Sequence, residues 1–388
     1  MFTYKKENFN VPIKAWLKEE EYFCDNKVVE QTENLARLPF VFHHVALSPD
    51  AHSGFGMPIG GIIATNGFVI PYAVGSDIGC GMCAVKTSLT NIDSTTLKKI
   101  MGDIRRVIPV GFNKNIVPYF ERMPWYEKEN CPITYRENTN ASLSLGTLGG
   151  GNHFIEIQKG SDGFIWIMIH SGSRNLGKQV CDHYNHLAEE IGLISPSHKL
   201  SPLLVDSVEG KLYLNEMNYC VEYALANRQL MMEKICNCFV SNINDRYVLF
   251  EPMINIAHNY ASLENHFGQE VLVHRKGATL ATKDTIGIIP GSQGSKSYIV
   301  KGKGNPESFM SCSHGAGRRM GREEAKRILS LEEEVKRLDE MGVLHSVRGV
   351  GNLDEAPSAY KNIDTVMENQ KDLVDVLVEL TPLAVIKG

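Results

Sequence analysis

No stretch of this sequence reaches the roughly 18–20 consecutive apolar residues that a membrane-spanning helix needs, and the opening MFTYKKENFNVPIKAW lacks the apolar core of a secretory signal. A cytoplasmic protein with no membrane partner is the expectation. Nor is there an excess of positive charge. The formal net charge is −5, which argues against nucleic-acid binding over the whole surface and leaves room only for a local basic groove. The cysteines form no paired framework. Nine is an odd number, and Cys24, Cys80, Cys83, Cys131, Cys181, Cys220, Cys236, Cys238 and Cys312 are scattered, so buried thiols in a reducing compartment are expected. Internal repeats, low-complexity tracts and Pro/Ser linkers are missing, and so is the phosphate-loop pattern G-x-x-x-x-G-K-[ST].

What remains is an ordinary globular composition in a chain of 388 residues, long enough for a large core. Apolar spacing near 3.6 and capping residues predict helices over 27–38, 94–107, 175–192, 214–242, 331–341 and 362–380. Short β-branched and aromatic runs predict strands over 40–47, 82–87, 153–158, 164–169, 247–256, 271–274, 286–289 and 298–300. Strands and helices do not alternate regularly, so an α+β fold is expected rather than a doubly wound parallel sheet.

Glycine is plentiful and clustered: GFGMPIGG (54–61), GSDIGCG (75–81), GTLGGGN (146–152), HSGSRNLG (170–177), PGSQGS (290–295) and HGAGR (314–318). Any one could be a tight turn. Most, however, hold or abut a His, Asp, Cys or Ser, which turns alone do not require, and loops converging on one site are the better reading. Asp77 and Cys80 share GSDIGCG, where a short turn can aim a carboxylate and a thiolate at one point. His153 opens the apolar run HFIEI, His170 closes FIWIMIH and His258 closes MINIAH. One tetrahedral ion needs fewer donors than these five. Two ions sharing the Cys80 thiolate would use them all, a pattern suited to phosphoryl transfer. Cys80 and Cys83 also spell CxxC, but a second pair with zinc spacing is missing, and Cys83 reads as a strand residue.

The Gly/Ser loop PGSQGSKS (290–297) can form an anion nest with Ser292, Ser295 and Ser297. SHGAGR (313–318) sets His314, a potential nucleophile for phosphorus, before a Gly-Ala-Gly turn and Arg318–Arg319. HRKGAT (274–279) offers Arg275 and Lys276 for phosphate. Lys296, Lys301, Lys303, Arg318, Arg319 and Arg322 could line an RNA path or form a solvated face.

Taken in order, PDAHSGFGMPIGG, VGSDIGCGM, LGGGNHFIEI, HSGSRNLG, AHN, HRKGAT, GSQG, SHGAGR, DEAPSAYKNI and the final IKG resemble the RtcB family of RNA-splicing and RNA-repair ligases over most of the chain. The resemblance implies a single α+β domain over 1–388 with mixed sheets and flanking helices. It implies Asp77, Cys80, His153, His170 and His258 as ligands of two Mn²⁺ ions, Cys80 bridging, and His314 as the histidine that takes GMP from GTP. It implies guanosine contacts from Asn152, His153, Phe154, Ile155, Glu156, His258, Asn259, Pro290, Gly291, Ser292, Gln293, Ser297, His314, Gly315, Ala316, Gly317 and Lys387. Glu156 would accept from the guanine edge, and Lys387 would reach it from the tail. The implied reaction joins an RNA 3′-phosphate or 2′,3′-cyclic phosphate end to a 5′-hydroxyl end, in some relatives with an activating partner, archease. Gln293 departs from the Met usual there. A metal-dependent phosphoesterase would need the five donors but have no use for SHGAGR or Lys387. A binding module with a decayed site would have lost a donor or His314.

Overall fold

The computed structural model describes residues 1–193, 198–243 and 247–388. It is α+β, as the irregular order of elements predicts, and two sheets carry it. The first has seven strands in the order Ile254–Ala257, Gly81–Lys86, Ile165–Ser171, Phe154–Gly160, Val374–Lys387, Ser297–Gly302 and Ile286–Ile289, each antiparallel to its neighbours. The second has six, in the order Phe2–Tyr4, Ile13–Ala15, Val41–His52, Ile59–Thr65, Gln269–Lys276 and Asn259–His266, mixed by one parallel pair between Ile13–Ala15 and Val41–His52. A small ladder pairs Ala278–Leu280 with Ser311–Ser313.

Period-two alternation decides which side chains reach the site. On one face of the seven-stranded sheet Ile155, Ile157, Ile167 and Ile169 pack with Ile100 and Ile104 of the helix Ser94–Val107 and with Ile235 and Phe239 of the long helix Val208–Asn242. On the other, Phe154, Met168, Ile299 and Val385 pack towards Leu338 of the helix Leu331–Glu340. Glu156 therefore lies on the second face. The two sheets share a core in which Ile62, Ala64 and Val273 meet Ile289, Tyr298 and Val300, and the chain passes directly between them at His258: Ala257 ends an edge strand of the first and Asn259 begins an edge strand of the second.

Several predicted elements move. The helix expected over 362–380 is two elements. Ile363–Glu368 is helical, capped by the Asn362 side chain on Asp364 N, and Val374–Lys387 is a strand. The run VDVLVEL carries both periods, and pairing with Ser297–Gly302 selects the extended one. The strand expected over 247–256 shrinks to Ile254–Ala257. Upstream the chain makes only scattered bonds such as Glu251 N to Lys86 O, and Pro252 has no N–H to extend the ladder. The helix expected from 214 begins at Val208, where Ser207 Oγ accepts from Gly210 N. Cys83 is a buried strand residue, as read.

Candidate functional site

The five candidate donors form an unbroken chain with Cys80 at its centre. His153 Nε2 lies 2.9 Å from Asp77 Oδ2 and 3.4 Å from Cys80 Sγ. Cys80 Sγ lies 3.3 Å from His170 Nε2, which lies 3.4 Å from His258 Nε2. Cys80, His153 and His170 have ligand atoms close enough to share one ion. Donors on arms of about 2.0–2.3 Å at tetrahedral angles stand roughly 3.3–3.8 Å apart, so the Cys80 distances match a common centre.

Hydrogen bonding at the far ring nitrogens makes the case for a cation. His153 Nδ1 lies 3.0 Å from Leu148 O, and His170 Nδ1 lies 3.2 Å from Asn152 O. A carbonyl can only accept, so Nδ1 carries the proton in both rings, and in the neutral ring Nε2 is a bare lone pair aimed inward. His153 Nε2 then faces the Asp77 carboxylate, lone pair to lone pair, which a second proton or a cation relieves. His258 Nδ1 has no partner among the described residues, so its Nε2, opposite His170 Nε2, is free to be donor or ligand. Burial, reinforced by neighbouring histidines, holds His170 and His258 well below the usual imidazole range, so these two stay neutral and ready to ligate. Burial also pushes Asp77 up, but His153 beside it outweighs this and holds the carboxyl below its usual range. Burial and then Asp77 push the Cys80 thiol well up. A bound divalent ion would reverse that and take the thiolate.

The loops are tied down from behind by the long helix. Arg228, wholly buried, donates to Gly79 O, Ser171 O and Asn255 Oδ1 at 2.7–3.0 Å. Its neighbour Asn227 accepts from Gly146 N and Thr147 N and donates to Gly172 O. Gly172 is a requirement of close approach, because a Cβ there would collide with the Asp77 carboxylate. Asn259 donates to Asp77 O (3.0 Å) and accepts from Gly277 N (2.7 Å), so its amide braces the donor loop.

Beyond His258 lies His314, with ring centroids 4.8 Å apart. His314 lines a cavity of about 530 Å³, within the range of small-ligand sites. Its ring is held by Asp50, whose Oδ2 lies 2.6 Å from Nδ1 and also accepts from His314 N and Gly315 N at 3.2 Å. The contact is too bent for a hydrogen bond, but a carboxylate this close favours the tautomer with its proton on Nδ1, which leaves the lone pair on Nε2. Burial disfavours charge on Asp50, yet the His314 ring outweighs it and keeps the carboxyl low. Gly277, at φ +62°, gives His314 room: a Cβ there would press within 3.1 Å of its Cε1.

The cavity wall brings together most of the other predicted nucleotide contacts: Asn152, Phe154, Glu156, Pro290, Gly291, Ser292, Gln293, Gly315, Ala316, Gly317 and Lys387. Burial pushes the Glu156 carboxyl up to about 8. Lys387 Nζ sits 5.2 Å over the Phe154 ring and 3.0 Å from Glu355 Oε2. The remaining predicted contacts stand elsewhere. The Ile155 side chain is in the apolar core on the opposite face. Ser297 lies behind the wall, its Oγ accepting from Gly291 N and Gln158 Nε2 at 3.1 Å. His153, His258 and Asn259 belong to the donor layer. Gln293 Nε2 donates to Glu355 O at 2.8 Å.

Two expectations about phosphate need correction. Arg275 and Lys276 are buried and occupied: Arg275 grips Glu264 Oε1 and Oε2, and Lys276 Nζ donates to Phe55 O and Tyr72 O. Of the basic run, only Arg318, Arg319 and Arg322 line the cavity. Lys296, Lys301 and Lys303 instead pair with Glu379, Asp284 and Asp375. Sequence reasoning missed Asp50, Arg228 and Glu355. Glu355 is buried and gathers Lys387, Arg318 and Arg322 at 3.0–3.4 Å. Asp50 and Glu355 stand inside motifs singled out for other residues. Arg228 carries no local signal at all, being one charged residue in a long helical run.

A five-donor Asp/Cys/His cluster that opens through a histidine onto a polar cavity offers the ligands a divalent cation would need beside a space for a small ligand. A family model described as tRNA-splicing ligase RtcB matches residues 31–124 and 121–388. RNA-splicing ligase RtcB of Escherichia coli (strain K12) is 39% identical, with 98% of each chain covered. tRNA-splicing ligase RtcB of Nanoarchaeum equitans is 31% identical over 99% of this chain and 97% of the relative. RNA-splicing ligase RtcB of Mycobacterium tuberculosis is 32% identical over 92% and 100%. The chain belongs to the RtcB family of RNA ligases.

Proposed function

We propose that this chain is a GTP-dependent RNA ligase, working as one catalytic domain over 1–388, that joins RNA 3′-phosphate or 2′,3′-cyclic phosphate ends to 5′-hydroxyl ends through a guanylated His314. The observation that carries the reading is the place of His314. It is oriented through Nδ1 by Asp50, stands next to the last metal donor, and lines a cavity of nucleotide size. A phosphoesterase can hydrolyse its ester with a metal-activated hydroxide and need not form a bond to such a histidine.

Asp77, Cys80, His153, His170 and His258 would hold two manganese ions, with Cys80 shared. Bound there, the ions would supply positive charge to the phosphates of the nucleotide and the RNA end. The chain's own residues do the rest. Glu156, as carboxylate, accepts from the guanine N–H edge. The Ala316–Gly317 turn offers backbone N–H groups to phosphate, since Gly291 N, Ser292 N and Gly315 N are held by Ser297 Oγ, Ser295 Oγ and Asp50 Oδ2. The His314 Nε2 lone pair forms a bond to the α-phosphorus of GTP, the bond to the oxygen bridging the β-phosphate breaks, and pyrophosphate leaves with that electron pair. A cyclic phosphate end is first opened by water to a 3′-phosphate. An oxygen of that phosphate then takes GMP, and the P–N bond breaks with its pair returning to Nε2. The 5′-hydroxyl oxygen attacks the activated 3′-phosphate, gives up its proton, and GMP departs. Arg319, exposed at the rim, and the half-exposed Arg322 suit the RNA phosphates, while Arg318 is held by Glu355 and the Asp354 and Met320 carbonyls. tRNA halves and broken RNA both present such ends, and an archease-type activator is a partner to test.

The test is incubation with α-labelled GTP and Mn²⁺ beside His314→Ala. An acid-labile, base-stable label on the denatured native protein, absent from the variant, is the expected outcome. No label with metal bound, with and without an archease-type protein, would sink the guanylation reading and leave the phosphoesterase.

A further inference from the structure

Four residues ahead of His314 the backbone does something costly. Phe309 and Met310 are consecutive and both left-handed, at φ 49° and 50°. Bulky side chains rarely adopt this region, because Cβ crowds the neighbouring carbonyl. Strain of this kind persists only where the surroundings enforce it, and it collects at functional sites.

The enforcement is buried and specific. Phe309 is fully buried, its ring stacked on His44 at 4.4 Å. Met310 N donates to Asn305 O, and Met310 O accepts from Ala281 N at 2.7 Å. Arg275, also fully buried, donates through Nη2 to Phe309 O (3.0 Å) and through Nε to Ser311 Oγ (2.9 Å). Glu264 holds both Nη atoms of Arg275 and accepts from His266 Nε2 at 2.9 Å. Immediately after the turn, Ser311–Ser313 pairs with Ala278–Leu280, and the next residue is His314.

We propose that the left-handed turn at Phe309–Met310, locked by the Glu264–Arg275 clamp, is a positioning device that sets the axial offset of the strand carrying His314. The inference rests on His314 being the nucleophile. The clamp touches neither nucleotide cavity nor donor chain, so it acts on the rate of transfer and not on binding. A shift of an ångström at a reacting atom is enough to cost on the order of 100-fold in rate.

Conformation can be separated from side chain at one residue. Met310→Gly keeps the turn without its cost, so it should melt at or above the native temperature and transfer GMP at the native rate. Met310→Val, whose branched Cβ resists the turn, should transfer GMP at least tenfold more slowly with the KM for GTP within twofold. Arg275→Lys, which keeps the charge but loses the fork, should behave like Met310→Val. All are read by single-turnover labelling of His314, with the KM for GTP, manganese content and melting temperature measured beside it. Native rates in a folded Met310→Val or Arg275→Lys would overturn the proposal, as would a loss that appears equally in KM or metal content. If Arg275→Lys does not fold, the Met310 pair decides. If the native chain itself takes no label, the failure belongs to the guanylation reading and not to the clamp.

Discussion

Around the donor chain the protein's own hydrogen bonds fix most of the ligands, with His258 Nδ1 and Arg228 Nη2 left without a partner among the described residues, whereas across the cavity uncommitted acceptors remain. Leu148 O and Asn152 O fix two imidazoles, and Arg228 and Asn227 fix the loops that carry Asp77, Cys80 and His170. On the cavity side Gln158 Oε1 and Gln293 Oε1 are buried with no partner among the described residues, and Glu156 is pushed up to about 8. An ion binds more tightly where outer partners have already oriented its ligands. A nucleotide brings many donors and acceptors of its own, and a wall with uncommitted groups can recognise them.

Four substitutions probe that contrast, from the largest effect down. Cys80→Ala removes the centre of the donor chain. GMP transfer should fall by more than about 100-fold, since even second-layer changes at metal sites cost roughly 10–100-fold, and bound manganese measured by elemental analysis should drop with it. Transfer at the native rate would refute a preset two-ion site. Asp50→Asn leaves the metal untouched but loses the charge that fixes the His314 proton. Labelling should slow by roughly 10²–10⁴-fold, as when a catalytic histidine loses its carboxylate, with metal content unchanged. If metal were lost as well, the two halves would not be separable.

Glu156→Gln tests the cavity side through pH. Burial pushes the folded carboxyl up to about 8 from its ordinary 4.5, so between those values the folded state holds a proton that the unfolded state has lost. Stability from this group is full below about 4.5 and is lost as pH rises through 8, a swing on the order of a few kcal/mol. Urea unfolding should therefore show the native chain losing stability relative to Glu156→Gln between about pH 5 and 8, and no further loss above that. GTP, which favours the carboxylate, should bind the native chain more tightly as pH rises over the same window. A pH-independent difference would mean that Glu156 is already ionised. Gln293→Met is the mildest. It removes the bond to Glu355 O and, with it, an unpartnered buried oxygen. The net change should stay within about 1 kcal/mol, and a larger loss by thermal melting would show that the amide holds Glu355 in place.

The sequence announces these two halves differently. The donors stand at strand ends beside glycine turns, a position that local pattern reveals, and all five come together. The brace behind them, Arg228, is a lone charge on a helix and is recognisable only once the fold brings Gly79 and Ser171 to it. On the cavity side alternation along Phe154–Gly160 explains why Glu156 faces the wall and Ile155 the core. That argument needs the register with Val374–Lys387, the stretch where helical spacing misleads. Arg275 misleads in the opposite sense: a basic residue beside glycine suggests phosphate, but burial against Glu264 gives it a carboxylate already. Both errors come from tertiary pairing overriding local preference.

The strand Val374–Lys387 lies in the interior of the seven-stranded sheet, where Lys387 pairs with Phe154 and Leu380 with Ser297. Both neighbours are distant in sequence: Leu380 pairs with Ser297 on one side and with Gly160 on the other. Loop closure over such a span is slow relative to helix or hairpin formation. Until this strand docks, Phe154–Gly160 is an exposed hydrophobic edge, a liability for aggregation during folding. The same step delivers Val385 and Lys387 to the cavity wall. Closing the sheet and completing the nucleotide wall are thus one kinetic event, and a chain arrested before it would be both inactive and sticky.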